Sequence, residues 1–173
     1  MKKRAVEQPA KKPATPNLEE FPPYLFHLIS SGLNGRLLER LRPYGVTVQR
    51  WRVLMVVMNK GPRSLSELTE LTLIPQSGLS RVIDQMERDE LVVRRLSAED
   101  NRVVKLELTD HGRRLYWQIL PAATEHARTV MAGLDKSQRK QLNDLLHHVL
   151  RNLQVFVSKG EYHLKEGSID DEG

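Results

Sequence analysis

The 173-residue sequence contains no cysteine, and this absence excludes several kinds of chemistry. Without thiols there is no disulfide framework, thiolate nucleophile, thiol redox sensor or cysteine-ligated zinc site. Aromatic residues make up only 5% of the chain, and no apolar run approaches the roughly 20 residues that a membrane-spanning helix needs. The basic N-terminus is followed by prolines rather than by the apolar core of a signal peptide. We therefore expect a cytoplasmic protein with no membrane partner.

Patterns typical of catalytic and metal sites are missing as well. His147 and His148 are adjacent on a predicted helix, so their side chains point about 100° apart and cannot chelate one ion together. The histidines at 111, 126 and 163 lack the spacing of metal ligands. No Ser-His-Asp order, phosphate loop or catalytic carboxylate pair stands out. The sequence predicts a protein that is not an enzyme and holds no metal or cofactor.

The net charge of +5 and the isoelectric point of about 9.6 permit a nucleic-acid partner. The charge is unevenly distributed along the chain. Residues 21–62 carry six basic side chains and one acidic side chain. Residues 63–112 carry seven basic and ten acidic side chains, and residues 113–157 carry seven basic and three acidic side chains. The central segment is therefore net acidic, and any DNA-binding face within it must depend on where its arginines point.

The two ends of the chain have compositions typical of flexible segments. Residues 1–17 are rich in Lys, Pro and Ala, which predicts a disordered basic arm. Residues 158–173 end in Asp170-Asp171-Glu172-Gly173, which predicts a flexible acidic tail. Between these tails the apolar spacing predicts about six helices and one β-hairpin.

Two of the central helices are predicted to form a helix-turn-helix unit. Ser64 and Glu67 have the spacing of a capping box, which opens a short helix ending near Leu71. A short turn then leads to Pro75 at the first position of the next helix. That helix has an apolar face made by Leu79, Val82, Ile83 and Met86.

Residues 91–96 and 103–108 alternate between apolar and polar side chains, which predicts the two strands of a hairpin. Their loop carries Asp100 and Arg102, so the hairpin projects a cation. A capped helix, a turn, a second helix and a projecting hairpin together predict a winged helix-turn-helix.

The candidate DNA contacts are polar and basic side chains of this unit. Short or forked side chains near the start of the second helix suit phosphates and base edges, and an arginine at the hairpin tip suits a narrow A·T minor groove. Asp100 is predicted to orient Arg102 by a salt bridge, and at least one of Arg94 and Arg95 is predicted to meet phosphate. The alternative is a solvated helix face with surface ion pairs. The predicted set is Ser64, Gln76, Ser77, Ser80, Arg81, Arg94, Arg95, Asp100, Asn101 and Arg102.

The helices on either side of the winged unit carry long apolar stripes. One helix is predicted within residues 18–45, a second from after Gly112 to about Gly133, and a third after a capping box of Asp135 and Gln138. These stripes exceed what one small winged domain needs to bury, which favours a homodimer. The predicted division is therefore a dimerisation helix at 18–45, a winged domain at 46–112 and dimerisation helices at 113–157.

The segment Asp100-Asn101-Arg102 and the later Leu108-Thr109-x-x-Gly112 resemble the D-x-R…L-T-x-x-G signature of the MarR family of transcription regulators, over residues 20–157. The resemblance implies a mainly α fold with a β-hairpin wing and a helical dimerisation region from both chain ends. It also implies a homodimer that represses transcription at pseudo-palindromic operators and is released by small aromatic or phenolic effectors. The chain departs from the family at Asp89-Glu90-Leu91, where glycine is frequent. We therefore expect the second helix of the unit to end without a left-handed glycine.

The resemblance places the effector pocket where the first, second and fifth helices meet the winged domain. The candidate effector residues there are Tyr24, His27, Ser30, Arg50, Trp51, Arg52 and Tyr116. The alternative for Trp51 is a core position, because it shares one apolar helix face with Leu54, Met55 and Met58. Arg36, Arg40 and Arg42 add to the basic charge of this region. They either follow the DNA backbone or receive an anionic effector, such as an aromatic carboxylate or its coenzyme A thioester.

Two functional classes remain open. The first is a ligand-responsive DNA-binding regulator whose partners are an operator duplex, a second copy of the chain and a small effector. The second is a winged-helix module for protein contact without sequence-specific DNA binding. The acidity of residues 63–112 is the feature that favours the second class.

Overall fold

The computed structural model of the protein describes residues 17–97 and 100–153, and the backbone of 155–158 and 161–164. The predicted basic arm (apart from residue 17) and most of the predicted acidic tail lie outside these residues. Two short 3-10 turns at Leu18–Glu20 and Arg42–Tyr44 flank the first helix. The helices and strands are α1 (Pro22–Leu41), α2 (Val48–Lys60), β1 (Arg63–Ser64), α3 (Leu65–Thr72), α4 (Gln76–Arg88), β2 (Val92–Leu96), β3 (Val104–Leu108), α5 (Asp110–Val130), α6 (Lys136–Asn152), β4 (Val155–Ser158) and β5 (Glu161–Leu164).

Side-chain caps fix where several helices begin. The Thr47 hydroxyl accepts from the Arg50 N–H at the start of α2. Ser64 and Glu67 form the predicted capping box of α3, and Asp135 and Gln138 form that of α6. Each cap satisfies amide groups that have no partner within the helix. The predicted starts of these two helices are thereby confirmed.

The predicted hairpin is confirmed as an antiparallel pair, with Val92 opposite Leu108 and Leu96 opposite Val104. A third strand, β1, was not predicted from the sequence. The two-residue β1 pairs with β3, placing Arg63 opposite Leu106, so the sheet order is β1-β3-β2. This pairing ties the start of α3 to the base of the wing.

The core lies inside the winged unit and is closed by the start of α5. The predicted apolar face of α4, made by Leu79, Val82, Ile83 and Met86, is buried as expected. On α2 the prediction was partly wrong, because Met55 is exposed and the buried face is made by Trp51, Val53, Leu54 and Val57. Burial of each such aliphatic side chain contributes about 1.5–3 kcal/mol to stability. Because most of the buried side chains lie in the winged unit, this unit contributes most of the hydrophobic stabilisation.

The junction between α4 and the wing ends in a left-handed residue that is not glycine. Glu90 has a φ of 55°. Its N–H donates to the Glu87 carbonyl, and the Leu91 N–H donates to the Met86 carbonyl at 2.8 Å. This is the Schellman pattern, in which glycine normally holds the left-handed position. The expected absence of a glycine is confirmed, and the left-handed turn forms nevertheless.

The fifth helix begins earlier than predicted. Thr109 is its N-cap and accepts from the Gly112 N–H at 3.0 Å, so α5 already includes Asp110 and Gly112. The predicted domain boundary after residue 112 therefore falls inside a continuous helix. Because α5 starts at the wing and runs on to Val130, it is a direct mechanical link between the winged domain and the flanking helices.

The flanking helices leave their apolar stripes uncovered within one chain. Leu41 is the buried residue of α1, and α6 has none. The backbone of β4 and β5 forms an antiparallel hairpin, with Val155 opposite Leu164. This corrects the prediction of helical structure up to 157 followed by a flexible tail. None of the described helices is both long and apolar enough to cross a membrane.

Candidate nucleic-acid interface

The first part of the candidate interface is the outer face of α4. Gln76, Ser77 and Arg81 are exposed, and Ser80 is half-buried beside them. The opposite face of the helix is fixed in the core, so these side chains are presented from a rigid support. The N-terminal end of α4 adds unpaired amides and the positive end of the helix dipole, which favour phosphate. The structure thus brings these four predicted residues together on one helix.

The second part is the tip of the wing, where Asn101 and Arg102 are exposed. Asp100 organises the turn through the backbone. Its carboxylate accepts from the Arg102 N–H at 2.9 Å, and its carbonyl accepts from the Val103 N–H at 2.9 Å. The predicted salt bridge between Asp100 and Arg102 is absent from the described residues, so this prediction was wrong. The Arg102 guanidinium has no ion-pair partner within 17–97 and 100–153.

The arginines of β2 are engaged inside the domain. Arg94 Nη2 lies 2.6 Å from Asp84 Oδ1, and Nη1 contacts Glu87 Oε2. The hydrogen bond to Asp84 raises the pKa of Arg94 above its ordinary value, with a further contribution from the charge of Glu87. Arg95 Nε lies 3.3 Å from Glu107 Oε2. Both side chains therefore contact carboxylates of their own domain, and a phosphate contact for either stays a prediction.

Ser64 is placed at the base of the wing rather than on α4. Its N–H donates to Glu67 Oε2 at 2.7 Å, and its hydroxyl accepts from the Glu67 N–H at 3.3 Å. Burial alone would raise the pKa of Glu67. The hydrogen bonds from Ser64 and the charge of Arg63 outweigh burial, so the pKa is lowered. Ser64 thus has a structural role, and its predicted DNA contact stays a prediction.

Internal ion pairs engage half of the ten carboxylates of residues 63–112. Five of these carboxylates belong to pairs that cross between elements or lie within one turn. These pairs are Arg50–Asp89, Arg63–Glu67, Arg94–Asp84, Arg94–Glu87 and Arg95–Glu107. Four of these pairs lie within the segment and leave its net charge unchanged, whereas Arg50 of α2 compensates Asp89 from outside it.

The Leu-Thr-x-x-Gly part of the signature joins the wing to α5. The Thr109 hydroxyl donates to the Glu90 carbonyl, and the Thr109 N–H donates to the Leu91 carbonyl at 3.1 Å. A Cβ atom on Gly112 would lie 2.0 Å from that same Leu91 oxygen. Glycine is therefore required where the first turn of α5 meets the end of α4. The signature describes a close packing contact as much as a DNA contact.

The predicted effector residues fall into three groups with different surroundings in one chain. Trp51 and Tyr116 stack with ring centroids 5.3 Å apart and are 2% and 6% exposed, so both belong to the core, as the alternative proposed for Trp51. Arg50 contacts Asp89 at 2.8 Å, and Arg52 donates to Asn34 at 3.0 Å, so these two arginines connect helices. The remaining three, all exposed on the first half of α1, are Tyr24, His27 and Ser30.

A cavity of about 360 Å³ lies instead between α1 and α5. It is lined by Arg36, Glu39, Arg40, His126, Thr129 and Val130. Arg36 and Arg40 are four residues apart and therefore share one face of α1. This spacing was visible in the sequence, whereas the approach of the buried His126 from α5 depends on tertiary packing. No cluster of metal-ligating side chains occurs in the described part of the chain.

The α3-turn-α4 unit followed by a three-stranded wing defines a winged helix-turn-helix protein. Residues 44–102 match the sequence profile of the MarR family. The transcriptional repressor IacR of Pseudomonas putida is 27% identical over 137 residues, which cover 79% of this chain and 82% of IacR. The winged helix-turn-helix of this chain is therefore similar to that of the MarR family of transcription regulators.

Solved structures show the same fold. A MarR-family regulator from Silicibacter pomeroyi superposes with a TM-score of 0.71 at 26% identity, over 81% of this chain and 94% of that one. CouR from Rhodococcus jostii RHA1, bound to p-coumaroyl-CoA, gives a TM-score of 0.71 at 20% identity over 78% of this chain and 95% of CouR. CouR bound to a 23-mer DNA duplex superposes with a TM-score of 0.69 at 24% identity, over 78% of this chain and 95% of CouR.

Proposed function

We propose that this protein is a transcriptional repressor that binds an operator duplex as a homodimer and is released by a small anionic effector. The observation that carries the proposal is the exposure of two separate recognition elements on one rigid domain. These are the polar face of α4 with Arg81, and the wing tip with Arg102. The repressor function of IacR and the DNA duplex bound by CouR support it.

The two elements suit different grooves of DNA. The start of α4 enters the major groove, where Gln76 and Arg81 reach base edges and Ser77 meets phosphate. Arg102 enters the neighbouring minor groove, where an A·T-rich sequence strengthens the negative potential. Asp100 supports Arg102 by holding the turn, because its carboxylate accepts from the Arg102 N–H.

The homodimer follows from the uncovered apolar faces of the flanking helices. Large apolar side chains of α1 and α6 are exposed in one chain, including Phe26, Leu28, Ile29 and Leu145. Such surface is rarely left in water by a monomer. A two-fold dimer places two α4 helices about one turn of DNA apart, which matches a pseudo-palindromic operator.

The effector site that we propose is the cavity between α1 and α5. Arg36 and Arg40 can hold a carboxylate or phosphate through charge-assisted hydrogen bonds. An aromatic acid or its coenzyme A thioester fits this chemistry, and the p-coumaroyl-CoA bound by CouR supports the thioester. Because α5 is continuous with the wing junction, a ligand that shifts α5 would reposition the winged domain.

Titration calorimetry with aromatic acids and their coenzyme A thioesters tests the effector. We expect the thioester to bind and the Arg36→Gln and Arg40→Gln variants to bind it about tenfold more weakly, since each removes a charged hydrogen bond. Arg42→Gln is the matched control, because Arg42 lies outside the cavity lining. No binding, or equal binding of acid and thioester, would overturn the thioester version.

Fluorescence anisotropy with the DNA upstream of the protein's own gene tests DNA binding. We expect tight binding that weakens steeply with salt, and a loss of tenfold or more in Arg102→Ala. Arg128→Ala removes an equal charge from α5 and serves as the control, because Arg128 pairs with Glu125 there. Unchanged binding by Arg102→Ala would contradict the wing assignment.

The second candidate is a winged-helix module for protein contact, favoured by the net acidity of residues 63–112. The same anisotropy experiment separates the two candidates. Absence of salt-dependent binding to any duplex would exclude the repressor and favour the protein-contact module.

A further inference from the structure

One guanidinium joins the wing to the exposed side of α4. Arg94 of β2 contacts Asp84 Oδ1 at 2.6 Å through Nη2 and Glu87 Oε2 through Nη1. The backbone N–H of Arg94 also donates to Glu87 Oε1 at 3.4 Å. Asp84 and Glu87 are three residues apart and lie on neighbouring positions of the helix surface. A single side chain of the wing therefore engages two carboxylates of α4.

These carboxylates lie on the helix that carries the proposed base contacts. Asp84 is three residues after Arg81, so it shares that side of α4 and faces the same solvent region. The side chains of Asp84 and Glu87 are 54% and 36% exposed. Two uncompensated carboxylates at this position would repel the phosphates of a duplex entering along α4.

We infer that Arg94 is a positioning residue for DNA recognition, an inference that rests on the proposed function. It neutralises Asp84 and Glu87, turns them towards the wing and fixes β2 against α4. Both terminal nitrogens of its guanidinium donate to these carboxylates, so the geometry points to an indirect role in place of the phosphate contact predicted from the sequence.

A double-mutant cycle tests this role. Arg94→Gln is measured in the wild-type background and in the Asp84→Asn, Glu87→Gln background, by anisotropy with the operator duplex. We expect about a tenfold loss of affinity in the wild-type background. We expect a change within about twofold in the carboxamide background, where no carboxylate needs neutralising and the amide oxygens still accept from the guanidinium and hold it away from phosphate. A direct phosphate contact would give the loss in both backgrounds, which would overturn the inference.

Salt dependence separates neutralisation from a merely structural role. Repulsion between carboxylates and DNA is screened by salt. The loss caused by Arg94→Gln should therefore shrink as salt rises, whereas a loss from altered folding would not. In the carboxamide background the slope of log affinity against log salt should be unchanged, while a lost phosphate contact would lower it by about one. A salt-independent loss would overturn the inference.

Two controls keep the outcomes distinct. Arg128→Gln removes an equal charge from an ion pair on α5, and it should leave operator affinity unchanged. Circular dichroism and thermal unfolding of every variant confirm that the compared proteins are folded. If the wild type binds and the cycle shows no coupling, the inference fails and the repressor proposal stands. If the wild type binds no duplex, the repressor proposal fails and the role of Arg94 in recognition fails with it.

Discussion

At the scale of single residues, Gly112 is a position where only glycine fits without moving the backbone. The carbonyl of Leu91 accepts from the Thr109 N–H and occupies the space that a Cβ on Gly112 would need. The contact is between backbone atoms, so no side-chain rotation can relieve it. The distance of 2.0 Å to the Leu91 oxygen is far below any normal carbon–oxygen contact. Substitution here must move either α5 or the start of β2.

We predict that Gly112→Ala destabilises the protein by about 2–4 kcal/mol, because overpacking against backbone forces a shift of whole elements. Urea unfolding followed by circular dichroism measures this change. Gly78→Ala is the matched control within the same domain. Its Cβ would meet Ile74 at an ordinary 3.7 Å in the first turn of α4, so no loss of stability and a gain of up to about 0.5 kcal/mol are expected from helix propensity. Equal effects of the two substitutions would contradict the steric argument.

The lowered pKa of Glu67 gives a prediction about pH. A carboxylate whose pKa is lower in the folded state stabilises it fully above the unfolded value of 4.5 and loses that effect as pH falls through the folded value. We expect Glu67→Gln to be less stable than the wild type at pH 7 by about 0.5 kcal/mol, a small value because the carboxylate is 44% exposed and screened by water. The difference should vanish at pH values below the folded pKa. Urea unfolding at a series of pH values measures it.

Ser64→Ala is the control for this prediction. It removes the hydroxyl that accepts from the Glu67 N–H and costs about 1 kcal/mol. It keeps the Ser64 backbone N–H that donates to the Glu67 carboxylate. The pH dependence should therefore persist in reduced form in this variant, because the backbone N–H and the charge of Arg63 still lower the pKa of Glu67. A Glu67→Gln effect that is constant with pH would show that the charge of Glu67 contributes nothing.

At the scale of elements, the turn between α4 and the wing holds conformational strain. Glu90 occupies the left-handed region with a φ of 55°, which non-glycine residues adopt at a cost of about 1 kcal/mol or more. We predict that Glu90→Gly stabilises the protein by about 1 kcal/mol, after allowing for the greater flexibility of glycine in the unfolded chain. Thermal unfolding measures the change.

Glu90→Ala separates backbone strain from the loss of the glutamate side chain. Alanine carries the same Cβ penalty in this region, so its stability should remain near that of the wild type. A gain as large as that of Glu90→Gly would mean that the glutamate charge, and not the backbone, is the source of the strain.

The elements whose signals are local could be predicted from the sequence. The capping boxes at Ser64 and Asp135 depend on residues three apart, and the wing strands on alternation within six residues. The two-residue β1 escaped prediction because it is too short to show a period. The start of α5 differs from the prediction because its N-cap, Thr109, lies three residues before Gly112.

The candidate site also has one part that local patterns predict and one part that depends on tertiary packing. The exposed polar face of α4 follows from helical periodicity, so Gln76, Ser77 and Arg81 could be predicted. The partners of Arg94 could not, because its contact with α4 depends on how the wing folds back over that helix. The cavity between α1 and α5 depends likewise on which residues of two distant helices meet. These contacts depend on how distant elements pack together, and the periodicity of the sequence carries no information about that packing.

At the scale of the whole molecule, the core of the winged domain is covered within one chain, whereas apolar faces of the flanking helices α1 and α6 are exposed to solvent. One core extends from Leu41 at the end of α1, through the winged domain, to Ile119 of α5, and it is buried within a single chain. On α1 the side chains of Leu25, Leu28 and Ile29 are 38%, 48% and 56% exposed, and on α6 Leu145 is 58% exposed. A second chain that covers these faces would complete the molecule and fix the separation of the two α4 helices.

We predict that Ile29→Glu and Leu145→Glu convert a dimer into a monomer, because a buried unpaired charge in a two-fold interface is introduced twice. Light scattering coupled to size exclusion measures the mass, against 19.9 kDa for one chain. Leu73→Glu is the control, since Leu73 is 60% exposed but lies in the turn between α3 and α4. That variant should keep the mass of the wild type.

Loss of the dimer should weaken operator binding strongly, because two half-sites no longer bind as one unit. A wild-type monomer with tight operator binding would contradict both the dimer and the pseudo-palindromic operator.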